Sequence, residues 1–532
     1  MTKTKTSGAR RWVMTLAALS ACAAVQPTFA QQGTDLDARC AALANLFLPD
    51  TRVTLAQAIR PDPTYAVPGT EGGQGGAVTV SVPFCRVAGT VTPAVQFETW
   101  MPLANWNGRF VGLGIGGFSG AIAYGQLAQM VSRGYAAGST DNGHQGSDPR
   151  FALKPDGSFN AQTVGDWAHR AMNEMTVKSK QVVAAFYGKG AHHSYFTGCS
   201  SGGHQALTQA QRYPGNYDGI LAGATANYWT NLMAGQLAFG HATRVDPATN
   251  LETPINKLPA IHAAVVAACD AKDGVMDGVL ESPLKCDFKP ASMACKGAES
   301  ASCLTPPQVS ALEKIYSDAK TASGAKIFPG LARGSESGWP AMSARQVPFA
   351  ENFYRYLVFQ QPDWSYATMD MELDVAEAQR RIGHIVNSTD PDLGRFHSRG
   401  SKLIQYHGWN DPLISPYNSI DYYESVIAQV DAMGGTKNRQ AALKQTQLRH
   451  RLFMVPGMEH CRGGDATDTF DGLGALERWV EQGVAPEQIA ATKVVDGKAV
   501  RSRPLCAYPQ VAAYKGKGST DDAANFTCAA PR

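Results

Sequence analysis

Thr197-Gly198-Cys199-Ser200-Ser201-Gly202-Gly203 is the stretch on which the fold turns. It contains the pattern Gly-x-Ser-x-Gly. The short apolar run Ser194-Tyr195-Phe196-Thr197 before it reads as a buried strand, and Ser201–Tyr213 after it reads as a helix stopped by Pro214-Gly215. A serine at such a sharp strand-to-helix turn is held in a strained conformation, with room only for glycine beside it, and its hydroxyl projects from the top of a sheet. The Ser201 N–H then lies at a helix N-terminus, where it can stabilise an oxyanion. A glycine-rich turn without chemistry would share the pentapeptide. The strand and helix on either side favour Ser200 as a nucleophile.

Outward from this turn the chain alternates strand and helix. Gln96–Met101, Arg109–Leu113 and Tyr135–Ser139 read as strands, Gln162–Tyr187 as a helix stopped by Gly188, and Tyr217–Gly223 as a buried strand. The pattern lapses from about 226 to 395, where short helices, four cysteines and Gly/Ser/Pro-rich loops are mixed. It resumes with the strand Lys402–His407, the helix Tyr417–Met433, the strand His450–Val455 and the helix Thr469–Gln482. This alternation predicts an α/β fold whose parallel sheet is covered on both faces. The expected organisation is a catalytic core over 31–225 and 396–532 interrupted by a lid over 226–395. The tail from Ala485 reads as extended and carries Cys506 and Cys528.

Two further loops complete a constellation. His460, in Pro456-Gly457-Met458-Glu459-His460-Cys461, follows the strand Leu452–Val455 directly, and catalytic groups in open α/β sheets sit beyond the carboxyl ends of strands. Asp411, in His407-Gly408-Trp409-Asn410-Asp411-Pro412, likewise leaves a buried strand. Alone, His460 reads as a loop histidine, and an Asp before Pro is a common turn former. Together they give the order Ser…Asp…His of α/β-hydrolases. Asp421, Asp465, Asp468 and Asp471 are weaker candidates for the acid. An oxyanion hole needs a second donor, which the glycine run Gly112-Leu-Gly-Ile-Gly-Gly117 supplies from Ile115 or Gly116. The same run spells a dinucleotide-binding pattern, but no helix with a suitably placed acid follows it.

Cys199 precedes the nucleophile and Cys461 follows the base. Catalysis requires the serine oxygen near the imidazole, which brings these two cysteines within reach of one another. A Cys199–Cys461 disulfide is therefore expected. Asp270, Asp273 and Asp277, with backbone carbonyls at Val275 and Val279, form an oxygen-rich loop suited to structural Ca²⁺ in the lid, without the EF-hand register. A solvated acidic turn is the competing reading.

The 532 residues are 44% apolar and 17% charged, which suits a globular enzyme and argues against disorder. The net charge is +3, and Lys3, Lys5, Arg10 and Arg11 lie in the acid-free first eleven residues. Such a balance excludes an electrostatic nucleic-acid binder. Behind those cations, Trp12–Val25 is apolar but too short to span a bilayer. Pro27 and Thr28-Phe29-Ala30 then close a signal peptide over 1–30. Lipidation of Cys22, in Leu19-Ser20-Ala21-Cys22, competes with cleavage after Ala30. Both readings export the protein, and no transmembrane helix is expected. Either leaves ten cysteines, an even number that fits an oxidising compartment.

Cys199-Ser200, Asp411 and His460-Cys461 together resemble the tannase/feruloyl esterase family, from about Cys40 to the C-terminus. The resemblance implies an α/β-hydrolase core with a lid, acting on feruloyl, gallate or mono(hydroxyethyl) terephthalate esters through Ser200, Asp411 and His460. It implies calcium on Asp270, Asp273, Val275, Asp277 and Val279. It also implies the pairs Cys40–Cys85, Cys269–Cys286, Cys295–Cys303 and Cys506–Cys528. Gly338–Ser365 would shape the acid pocket, where Arg345 or Arg355 could bind a substrate carboxylate, although a solvated surface position is the favoured reading of both. Another exported serine hydrolase (peptidase or lipase) and a catalytically silent hydrolase-fold binding protein are the alternatives.

Overall fold

The computed structural model describes residues 1, 29–68, 76–246, 251–252, 257–434 and 438–531. The leader readings, cleavage after Ala30 and lipidation of Cys22, fall almost wholly outside them. Among the described residues, nine strands form one mixed sheet. In chain order they are β1 (Thr51–Ile59), β2 (Phe84–Val91), β3 (Val95–Pro102), β4 (Arg109–Leu113), β5 (Ala136–Thr140), β6 (His193–Cys199), β7 (Gly219–Gly223), β8 (Lys402–Gly408) and β9 (His450–Val455). Their spatial order is β1-β2-β3-β5-β4-β6-β7-β8-β9. The first three pair antiparallel, β3 meets β5 antiparallel, and the remaining neighbours run parallel.

The parallel strands are largely buried because both of their faces are covered. Successive side chains alternate between the faces. Phe110, Phe196, Ile220 and Leu403 enter one core, with residues of the helices α1 (Ala171–Tyr187), α2 (Ser201–Arg212) and α5 (Tyr417–Gly434). Their neighbours Val111, Tyr195, Leu221 and Ile404 enter the opposite core, against Leu473, Leu476 and Trp479 of α6 (Gly472–Gln482). Each such side chain, fully buried, contributes about 1.5–3 kcal/mol.

Three details differ from the sequence expectation. The helix expected over Gln162–Tyr187 is broken by a π turn at Asp166–Arg170. The helix expected from Thr469 starts at Gly472. Thr469 and Phe470 pair with Thr492 and Ala491 as a strand, and the Asp471 carboxylate then caps the Gly474 N–H. No strand is expected from sequence at β1, which forms one edge of the sheet, or at β2, which lies inside it. β1 is only half-buried, so its hydrophobic alternation is weak.

Between β7 and β8 the chain builds its own apolar cluster. It includes Trp229 and Leu237 of α3 (Trp229–Thr243), Ile261 of α4 (Leu258–Cys269), and Phe353 and Leu357. Phe118 and Trp167 from before β7 join it, which seats the insertion over the carboxyl ends of the strands. The tail forms hairpins, Gln488–Val495 with Lys498–Cys506 and Val511–Tyr514 with Phe526–Ala529, clipped by Cys506–Cys528. Disulfides also join Cys40–Cys85, Cys199–Cys461, Cys269–Cys286 and Cys295–Cys303. No helix among the described residues is long and apolar enough to cross a membrane.

Candidate active site

Ser200 joins β6 to α2 with φ 65° and ψ −124°. A residue with a Cβ in this region stores about 1–3 kcal/mol of strain, so the surroundings must enforce it. They do so through the Ser200 N–H, which donates to the Gly223 carbonyl at 3.0 Å, and through the Ser200 carbonyl, which accepts from His204 and Ala226. The glycines are required by close approach. A Cβ on Gly198 would lie 2.5 Å from the Gly202 carbonyl oxygen, and one on Gly203 would lie 2.2 Å from that of Gly223. Ser200 occupies the N-cap position of α2 but makes no capping bond with its side chain. Its hydroxyl is therefore not spent on the helix.

Asp411 follows β8 and His460 follows β9, so both loops leave the carboxyl ends of neighbouring parallel strands. His460 Nδ1 lies 2.8 Å from Asp411 Oδ2. Asp411 is wholly buried, and its Oδ1 accepts the Leu413 and Ile414 N–H groups at 2.8 and 3.0 Å. Burial alone would raise the Asp411 carboxyl. The charge of His460 and hydrogen bonds from His407 and His460 outweigh it and hold the group well below the usual carboxylate range. The other acids go elsewhere. Asp421 pairs with Lys326, Asp468 accepts from the Gly463 N–H, Asp471 caps α6, and Asp465 faces His262.

Ser200 and His460 line one cavity of about 860 Å³, together with Gly116, Trp229 and Phe349. Cys199 and Cys461 are bonded, with Cα atoms 6.0 Å apart. The glycine loop narrows the choice of oxyanion donor. The Ile115 N–H donates to Gln205 Oε1 at 3.0 Å, and the Gly117 N–H donates to Ser201 Oγ at 2.8 Å. Gly116 lies between them with no N–H partner among the described residues. The run continues as loop before a helix starts at Tyr124, which is not the strand–turn–helix of a dinucleotide site.

Arg345 and Arg355, which sequence leaves equivalent, take different places in the structure. Arg355 is tied to Glu351 and to the Trp364 carbonyl. Arg345 is exposed on the cavity wall, with no ion pair among the described residues.

The acidic loop closes on itself. Asp270 accepts the Asp277 and Gly278 N–H groups, and Asp273 accepts those of Val275 and Glu281. Asp277 accepts the Val279 N–H and pairs with Arg503 at 2.6 Å. Among the described residues no three His, Cys, Asp or Glu side chains converge as a metal cage. The chemistry nevertheless suits a hard cation. The available donors are all oxygens, and burial, joined by repulsion from Asp277 and Asp270, pushes the Asp273 carboxyl up to about 6.

Residues 77–529 match the family described as tannase and feruloyl esterase. An uncharacterised esterase of Xanthomonas campestris is 37% identical over 92% of this chain and 91% of its own length. A mono(2-hydroxyethyl) terephthalate hydrolase of Piscinibacter sakaiensis is 33% identical over 84% and 85%. The crystal structure of feruloyl esterase B from Aspergillus oryzae superposes with a TM-score of 0.84 at 29% identity, covering 93% of this chain and 100% of that one.

Proposed function

Because the chain belongs to the tannase and feruloyl esterase family and is a carboxylic ester hydrolase of that type, we propose that it is an exported serine esterase. Its substrates are esters of aromatic acids: hydroxycinnamic, gallic or terephthalic. Ser200 is the nucleophile, His460 the general base and Asp411 the orienting acid. The observation that carries this reading is a single cavity bearing a serine in a strained elbow and a histidine already bonded to a buried carboxylate.

His460 Nε2 takes the Ser200 proton as Oγ attacks the ester carbonyl carbon. Asp411 accepts the Nδ1–H bond, fixes the tautomer and stabilises the imidazolium. The N–H groups of Ser201 and Gly116 receive the oxyanion. His460 then returns the proton to the alkoxide as the C–O bond breaks, and the alcohol leaves. Water, deprotonated by His460, attacks the acyl-enzyme; the acyl C–Oγ bond breaks, His460 returns the proton to Ser200 Oγ, and the aromatic acid leaves.

Trp229 and Phe349 on the cavity wall favour a flat acyl group. Arg345 supports a second specificity within the class, for half-esters that keep a free carboxylate, by charge complementarity. Calcium, held by Asp270, Asp273, Asp277 and the carbonyls of Val275 and Val279, would stabilise the lid by neutralising crowded carboxylates and would take no part in the chemistry. Five disulfides support an oxidising destination.

The test is Ser200→Ala on methyl ferulate and p-nitrophenyl esters. Near-total loss of turnover with an unchanged fold is expected, and full activity would sink the mechanism. Parallel assays of amide and long-chain lipid substrates separate a peptidase or lipase, and covalent labelling of Ser200 by a fluorophosphonate separates a silent binding protein.

A further inference from the structure

Asp411 serves two histidines. Its Oδ2 lies 2.8 Å from His460 Nδ1 and 3.0 Å from Nε2 of His407, a wholly buried residue of β8. His407 Nε2 also lies 3.0 Å from the Ile414 carbonyl oxygen. A carboxylate and a carbonyl only accept, so Nε2 of His407 carries a proton and donates. Its Nδ1 lies 2.7 Å from Ser419 Oγ, at the start of α5. The ring is thus held on both nitrogens, between a hydroxyl and the carboxylate.

We infer that His407 is a positioning residue for the ester hydrolysis: its Nε2–H fixes Asp411 Oδ2 so that the remaining lone pair of that oxygen faces His460 Nδ1. This rests on the reading of Ser200, His460 and Asp411 as the triad. The two backbone donors hold only Oδ1, which leaves rotation about the carboxylate axis to be stopped at Oδ2. Without His407, Oδ2 would keep one partner, His460, which sits on the loop it must itself orient. His407 is supplied instead from the sheet, the most rigid element available. Ser419 in turn prevents the imidazole from turning away. The order of dependence runs from the core outward: Ser419, His407, Asp411, His460. His407 touches no reacting atom and moves no proton in the cycle.

The test compares His407→Leu, His407→Asn and His407→Gln in the full chain, beside Ser200→Ala. Leucine has no donor, and the asparagine amide stops short of Asp411. The glutamine amide can reach the place of Nε2. Leu and Asn variants should lose about 10- to 100-fold in kcat with KM unchanged, the scale seen when a hydrogen-bond partner one step behind the functional side chains is removed. Gln should recover most of that loss. A merely structural histidine would give equal deficits for Asn and Gln, tracking their melting temperatures. If Leu fails to fold, the order of Asn and Gln decides. A folded Leu or Asn variant with wild-type kcat overturns the role of His407 while Ser200→Ala remains inactive. An active Ser200→Ala overturns the triad and this inference together.

Discussion

Cys199 and Cys461 are bonded across 262 residues of sequence, and each is the immediate neighbour of a residue that must meet the other. The bond ties the Ser200 turn to the His460 loop, so it constrains both the unfolded chain and the two side chains proposed to react. Replacing both cysteines by serine should cost about 2–5 kcal/mol of stability. kcat should fall further than the melting temperature implies, because the His460 loop is released. Thermal unfolding and steady-state kinetics measured together check this. Unchanged kcat in a less stable protein would limit the bond to a structural role.

Gly116 separates the donor role from the space around it. A Cβ there meets nothing within 4 Å, so Gly116→Ala should keep near wild-type activity. Gly116→Pro removes the N–H and should lower kcat by roughly 10²–10³, the effect of losing one oxyanion donor. Equal activity of the two variants would move the second donor to another residue.

Asp411 links activity to acid stability. Its folded-state pKa is depressed, so its contribution is present above the unfolded carboxylate pKa of about 4 and is lost as pH falls through the folded value. Asp411→Asn should melt below wild type at neutral pH, with the gap closing as the pH drops below about 4. Its kcat should fall by about 10⁴, as when a triad carboxylate becomes an amide. Melting curves at several pH values decide, and a constant gap would contradict the linkage.

Chelation tests the acidic loop. If calcium is bound at about a hundredfold excess over its Kd, its removal costs about 2.7 kcal/mol. EDTA should lower the melting temperature, calcium should restore it, and Asp273→Asn should abolish the difference. A melting temperature indifferent to both additions would leave an acidic turn held by its own N–H bonds.

Arg345 predicts a split between substrates. Arg345→Ala should raise KM for a terephthalate half-ester about tenfold or more, as a charge-assisted hydrogen bond of about 1.5–3 kcal/mol is lost. Methyl ferulate, which carries no carboxylate, should be little affected. Equal changes for both would return Arg345 to the solvated surface.

What was legible in the sequence was local or adjacent. Gly198 to Gly203 announce the elbow because close backbone contacts demand glycine within a few residues of Ser200. Asp411 and His460 were found because each leaves an apolar strand directly. Cys199–Cys461 followed from adjacency to groups that catalysis must unite. β1 shows no clear period because an edge strand buries too little, and the π turn at Asp166–Arg170 keeps the helical spacing that conceals it.

Residue order alone thus determined the α/β core, the three positions proposed as the triad and the covalent tie between two of their loops, since each depends on short-range sterics or on immediate neighbours. Only the folded chain decided which glycine-loop N–H stays open, which arginine reaches the cavity and that His407 stands behind Asp411. Gln205, Glu351 and His407 settle these points through side chains whose partners are set by packing between distant elements, and the spacing of residues along one chain carries no record of such contacts.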